Sequence, residues 1–370
     1  MALEFLWYVP NTVESGHRGD DTSEGWGSLE FSASIARSAE DHGFQGALVG
    51  AGWGRTDTFT LSTALAAVTR RFKPLIAVRP GYWQPAHFAC AAATLDQLSE
   101  GRLLINIVTG RDDHAAYGDF EDRDEDRYAR TREFMQLVRL LWTEENVTYH
   151  GRFFRVENST CLPRPYQQPC PPLYFGGASA AAEQVAAAEA DVQLMWGESL
   201  TMAADRIDRL RRMSAACDRE RPLEFGLRIT TVARETSDAA WRDAEAKLSG
   251  WEGNLDRRVE RNVTGRGSVG QQRLRDMMAQ GEVLDRCLWT RPAQVGTGAA
   301  STWLVGSYDE VAAALQDYVR LGVTHFILSD TPYREEAERI GEHVVSRVMD
   351  MEPALTPDPS PVGTGEGSQA

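Results

Sequence analysis

The chain has 370 residues, 42 % of them hydrophobic, and carries 54 acidic against 39 basic residues for a formal net charge of −15. That composition excludes global disorder, and the acidic excess argues against a nucleic-acid partner while leaving room for a local cationic pocket. Five cysteines with no CxxC pair and no zinc-finger spacing read as reduced thiols of a cytoplasmic protein, and no apolar stretch approaches the roughly 18 residues that span a bilayer.

The chain opens on LEFLWYV (3–9), a strand-like run with no basic region before it, so it does not read as a signal peptide. SLEFSASIARSAEDHG (28–43) follows, with Phe31, Ile35 and Ala39 at helical spacing and Gly43 where a helix would end. GALVG (46–50), PLIAV (74–78) and LLINIV (103–108) are further strand candidates. The helical stretch ARTREFMQLVRLLWTEE (129–145) leads to PLYF (172–175) and VQLMW (192–196). MAADRIDRLRRMSAACDRE (202–220) is again helical, and FGLRITTVA (225–233) and HFILS (325–329) complete eight strands. Strand–helix alternation with eight repeats predicts an α/β fold of the (β/α)8 TIM-barrel kind. A dinucleotide-binding sheet would need G-x-G-x-x-G after an early strand, and in GAGWGRTD the third glycine position holds Arg55.

Two segments fall outside the alternation. Residues 235–305 form a long insertion between the seventh and eighth strands, which begins with the helix-like SDAAWRDAEAKLSGW, then carries TGRGSVGQQRLRDMM and glycine-rich AQVGTGAAST, and reads as a lid. Residues 352–370 are Pro/Gly/Ser-rich and read as a disordered tail, leaving 1–351 as the folded domain.

In such barrels the working residues sit at the C-terminal strand ends. Metal ligands are sparse there, and neither a G-x-S-x-G elbow nor a P-loop occurs, so no metal site is predicted. PPLYFGGASAAAEQ runs a strand into Gly176-Gly177-Ala178-Ser179 and then a helix, which bares backbone N–H groups as a phosphate site would. An ordinary N-cap serine on a βα turn would look the same. Asn106 is a second signal: an amide in the middle of an apolar run costs roughly 1–3 kcal/mol if it finds no partner.

These strand ends, with TLDQLSEGR, NIVTG, DRYAR, YFGGAS, MWGES, GLRITTVARET and WLVGSYDEVAAAL, resemble the bacterial luciferase-like flavin monooxygenases, over roughly residues 3–350. Within that family the resemblance is to the two-component FMN-dependent alkanesulfonate monooxygenases; WYVPN also looks like the dimethyl sulfone enzymes. It implies reduced FMN at the barrel mouth, supplied by a separate NAD(P)H-dependent flavin reductase, and oxidation of a small organosulfur substrate with O2, for an alkanesulfonate to aldehyde and sulfite. By the same resemblance Asn106 and Thr109 would lie beside the flavin ring, and Gly177, Ser179 and Tyr128 would hold its phosphate. Arg228 matches the family's active-site arginine and Trp196 a pocket tryptophan. A homodimer or homotetramer is implied as well.

The substrate half departs from the alkanesulfonate pattern. Arg55 stands where those enzymes have cysteine, Thr230 where they have histidine, and Thr331 where they have tyrosine, with Tyr333 two residues on. Their lid arginine aligns near Thr297, with Arg291 the nearest basic residue. Arg55 is therefore a candidate replacement for the lost lid charge. Two other readings stand beside this one: an F420-dependent oxidoreductase of the same superfamily, and a flavin-binding protein without turnover.

Overall fold

The computed structural model describes residues 2–52, 54–109, 118–119, 126–219, 221–255, 269–296 and 301–351. Among them, eight parallel strands close into a barrel: β1 (Glu4–Val9), β2 (Gly46–Val49), β3 (Lys73–Val78), β4 (Leu104–Val108), β7 (Leu173–Gly176), β8 (Val192–Trp196), β9 (Glu224–Arg234) and β13 (Val323–Ser329). All eight coincide with the strands predicted from the sequence. Each is a short apolar run rich in β-branched or aromatic side chains and buried on both faces, as a parallel strand between a barrel interior and a helical shell must be.

The helices form the outer shell. Their ends are set locally: Ser28 caps α1 (Leu29–Asp41) by accepting from the Phe31 N–H, and Ser307 with Glu310 forms a capping box on the helix Tyr308–Leu321. Gly322, at φ 97°, closes that helix in the left-handed region that glycine enters without steric cost. Phe88, Phe134 and Trp142 pack between α3 (Pro85–Leu98) and α4 (Arg127–Thr143) in the main core.

Register places every second strand residue inside the barrel. The N-terminal end is plugged by polar groups: Glu4 accepts from the Tyr174 hydroxyl at 2.6 Å and pairs with Lys73 at 2.6 Å, and His325 bridges Glu4 and Glu224. Leu6, Leu48, Leu75, Leu104, Leu194 and Ile327 fill the middle. The same parity brings Tyr8, Asn106, Gly176, Trp196, Arg228 and Ser329 to the C-terminal mouth.

Among the described residues, the 235–305 insertion includes the helices α7 (Ser237–Leu255) and α8 (Val269–Gln280) and the short strands β10 (Val283–Leu284) and β11 (Leu288–Trp289). It runs into β12 (Trp303–Ser307), a strand the sequence reading did not assign; WLVGS is short and was masked by the helix cap that follows. β12 pairs in parallel with the second half of β9, from Thr230 to Arg234, while the first half of β9 completes the barrel against β8 and β13. A hairpin, β5 (Val147–His150) with β6 (Arg155–Ser159), is likewise an addition to the predicted elements. The predicted tail, 352–370, and the aligned lid position Thr297 lie outside the described residues.

Candidate active site

The mouth has two chemically distinct sides. On the first, β4 and β7 are neighbours, with Asn106 paired to Tyr174 and Val108 to Gly176. Asn106 is 7 % exposed, and its Oδ1 has no hydrogen-bond partner among the described residues. A buried amide oxygen left in that state costs roughly 1–3 kcal/mol, which makes it an acceptor awaiting a donor. Thr109, just beyond β4, is buried and shares a hydrogen bond of 3.0 Å with Thr131 of α4.

The β7–α5 turn adds the second half of this side. Ser179 caps α5 (Ala180–Glu189) by accepting from the Ala182 N–H at 3.2 Å. Gly176 faces open space, and Gly177 packs so closely that a Cβ would stand 2.6 Å from that of Ala182. The turn is therefore a shallow backbone concavity at a helix N-terminus, the arrangement that receives phosphate. Tyr128, in the first turn of α4, is half-buried against the core, and its hydroxyl makes no hydrogen bond among the described residues.

Arg206, which the sequence reading passed over, fixes this turn. It lies on the apolar face of α6 (Leu200–Ala215) beside Ala203, Ile207 and Leu210, donates to the Gly177 carbonyl, and pairs with Glu183 and Glu198, each at 3.0 Å. Gln193 adds a bond of 3.2 Å to the same carbonyl. An arginine at three- and four-residue spacing among apolar positions was the available sequence signal. Glu198 is in turn held by Arg273 of α8, which ties the insertion to the mouth.

The other side is cationic. Arg228 of β9 donates to Ser329 Oγ at 2.9 Å and to the Ile327 carbonyl at 3.2 Å. Among the described residues no carboxylate lies within ion-pair distance of it, and its partners are the neutral oxygens just named. Burial, reinforced by Arg18, pulls its guanidinium down to about 9. Its Cζ sits 4.9 Å from the centre of the Tyr8 ring, a cation–π contact. Arg55 approaches Tyr8 from the loop between β2 and α2 (Thr58–Val68), with Nη1 3.0 Å from both the phenol oxygen and Asn11 Oδ1. Thus the predicted residues Arg55 and Arg228 converge on one side chain, Tyr8.

Two further groups complete this side. Arg18 reaches Thr230 Oγ1 at 3.4 Å and lies over the Trp251 ring of α7. Tyr333 is buried and hydrogen-bonded to His17 Nδ1 at 2.7 Å, with its ring 5.7 Å from that of Tyr8. Trp196 pairs with Arg228 in register and is covered by Gly270 of α8, where a Cβ would fall 2.7 Å from the indole. The insertion therefore roofs the cationic side. It is fastened there by Lys247 of α7, whose ammonium lies 2.7 Å from the buried Asp330 at the end of β13.

Residues 3–325 match the luciferase-like monooxygenase family. The fold is shared with a riboflavin lyase solved with modified FMN and riboflavin, at 20 % identity and TM-score 0.74, covering 94 % of this chain and 92 % of that one. It is shared also with the EDTA monooxygenase of Chelativorans sp. BNC1, at 16 % identity and TM-score 0.73, covering 94 % of each chain. An F420-dependent secondary alcohol dehydrogenase, at 17 % identity and TM-score 0.67, covers 94 % of this chain and 99 % of its own.

Proposed function

The chain belongs to the luciferase-like monooxygenase family, and on that premise we propose that it is a reduced-FMN-dependent monooxygenase that uses O2 to oxidise a small anionic organosulfur compound such as an alkanesulfonate. The observation that carries this reading is the division of the mouth. An unsatisfied Asn106 amide and a Gly-Gly-Ala-Ser helix N-terminus stand on one side, and Arg55, Arg228 and Arg18 on the other. A flat ring with a phosphate tail fits the first, and a compact anion fits the second.

In this assignment Asn106 satisfies its amide on the polar ring edge, Thr109 lies beside it, and Gly177, Ser179 and Tyr128 hold the phosphate. Bound reduced FMN supplies the electrons that activate O2, the part of the chemistry no side chain can perform. Arg228 fixes the anion of the substrate by paired hydrogen bonds, Arg55 adds charge, and Trp196 beneath α8 keeps water out. Reduced flavin comes from a separate NAD(P)H-dependent reductase. The five cysteines are free thiols, in keeping with work in the cytoplasm.

The test is sulfite release from a panel of alkanesulfonates, with the purified protein, FMN, NADH, O2 and a generic flavin reductase. Sulfite from any member supports the reading. Binding of reduced FMN without sulfite moves the substrate to sulfones and other non-sulfonate compounds. Failure to bind reduced FMN, with binding of F420 instead, replaces the reading by the deazaflavin one. Arg55→Ala raises KM for the anion; an unchanged KM removes Arg55 from its partners.

A further inference from the structure

Tyr8 sits at the centre of the cationic side, 6 % exposed, on the inward face of β1. Among the described residues its hydroxyl has one hydrogen-bond partner, Arg55, and a guanidinium only donates. The phenol oxygen is therefore an acceptor toward Arg55, and its own proton has no acceptor on the described protein. The groups around it are Arg55 from the β2–α2 loop, Arg228 from β9, Arg18 and His17 from the loop after β1, and Tyr333 from the segment after β13. Three cations and no carboxylate stand among these neighbours.

We propose that Tyr8 is the proton donor of the active site, giving its phenolic proton to a substrate oxygen that becomes anionic during the reaction. In that step the Tyr8 O–H bond breaks and leaves its electron pair on the phenol oxygen. A new O–H bond forms on the substrate oxygen, and water restores the proton after product leaves. Arg55 and Arg228 hold the phenolate that remains, one through a hydrogen bond and the other across the ring face. Burial by itself would raise the phenol, but Arg55, Arg18 and Arg228 outweigh it and draw Tyr8 below the ordinary tyrosine range. Tyr333 contrasts with it: burial dominates there and pushes that phenol up. Arg55 is the positioning residue for Tyr8. The assignment rests on the mouth being a substrate site, as proposed above.

The experiment has an arm that needs no flavin and no substrate. Tyrosinate ultraviolet absorbance of the flavin-free protein is followed against pH in the wild type, Tyr8→Phe and Arg55→Gln. The wild type, with ten tyrosines, shows one tyrosinate forming below the ordinary value of about 10. That step vanishes in Tyr8→Phe and moves upward in Arg55→Gln, which retains the phenol if the first variant fails to fold. In turnover with reduced FMN, Tyr8→Phe lowers kcat about 100-fold and changes KM by less than about twofold. Absence of an early tyrosinate step, or an early step unaffected by either substitution, overturns the proposal and leaves the flavin assignment standing. So does a folded Tyr8→Phe enzyme with kcat within about twofold of wild type. If no sulfonate or sulfone turns over at all, the functional reading fails and the titration alone decides the role of Tyr8.

Discussion

Arg206 Nη1 lies 3.0 Å from the Glu198 carboxylate, and each of these side chains is all but sealed from solvent. Arg206→Met would leave Glu198 and Glu183 as buried charges, one keeping Arg273 and the other the half-exposed Arg209. Breaking a buried pair by removing one partner costs about 3–5 kcal/mol. Urea unfolding of Arg206→Met should show a loss of that order, with weaker FMN binding because the Gly177 carbonyl loses its anchor.

Asn106→Leu separates stability from binding. The substitution keeps the volume and removes an amide oxygen that has no partner among the described residues, so the flavin-free protein should gain about 1 kcal/mol. Reduced-FMN affinity should fall by about tenfold or more, equivalent to about 1.4 kcal/mol. A flavin-free protein that is destabilised instead would mean that Asn106 already satisfies its oxygen within the fold.

Gly177→Ala places a methyl 2.6 Å from the Ala182 Cβ, and both atoms are too close to their backbones to move aside cheaply. Overpacking of this kind costs about 1–3 kcal/mol, and here it should distort the phosphate turn. FMN binding measured by fluorescence quenching should weaken about tenfold. The double variant Gly177→Ala/Ala182→Gly, which removes the opposing methyl, should recover most of it.

Arg228 carries a pH prediction. Its guanidinium is a cation below about 9 and loses its proton above that. KM for an anionic substrate should therefore be flat from neutral pH to about 9 and rise beyond it, while a neutral substrate shows no such rise. Arg228→Gln should raise KM for the anion about tenfold at every pH and abolish the dependence.

The polar plug at the other end of the barrel sets a different dependence, on stability. Burial opposes charge on both partners, yet Glu224 and Glu4 raise His325 above its ordinary value of 6.5, and His325 with Lys73 and Tyr174 lowers Glu4 to about 2. A raised histidine stabilises fully below 6.5 and loses that contribution as pH climbs through its folded value. The lowered Glu4 contributes fully above 4.5 and loses its contribution only as pH falls towards 2. The urea midpoint difference between wild type and His325→Gln should thus be largest between about 4.5 and 6.5 and shrink toward alkaline pH.

Sequence periodicity was enough for the eight barrel strands, because each is a run of apolar residues long enough to stand out between amphipathic helices. Asn106 was legible for the opposite reason: it interrupts such a run. Tyr8 was not legible. An aromatic side chain in an apolar strand looks like core, and only the closed register brings Arg55 and Arg228 to it from two other strand ends. Arg206 was hidden in the same way, as one arginine among several on a charged helix, until α5 and the end of β8 supply its two carboxylates. β12 escaped because its partner, the far half of β9, has no local trace in the sequence.

β9 is one unbroken strand with two employers. Residues up to Thr230 are clamped in the barrel, and residues from Thr230 to Arg234 carry the sheet of the insertion. Mechanically it behaves as a beam anchored at one end and loaded at the other, with Thr230 at the point of support and Arg228 two residues inside it. The outboard sheet cannot swing as a door without twisting the strand that presents Arg228. A load on β12 therefore reaches the guanidinium as a rotation of its own backbone.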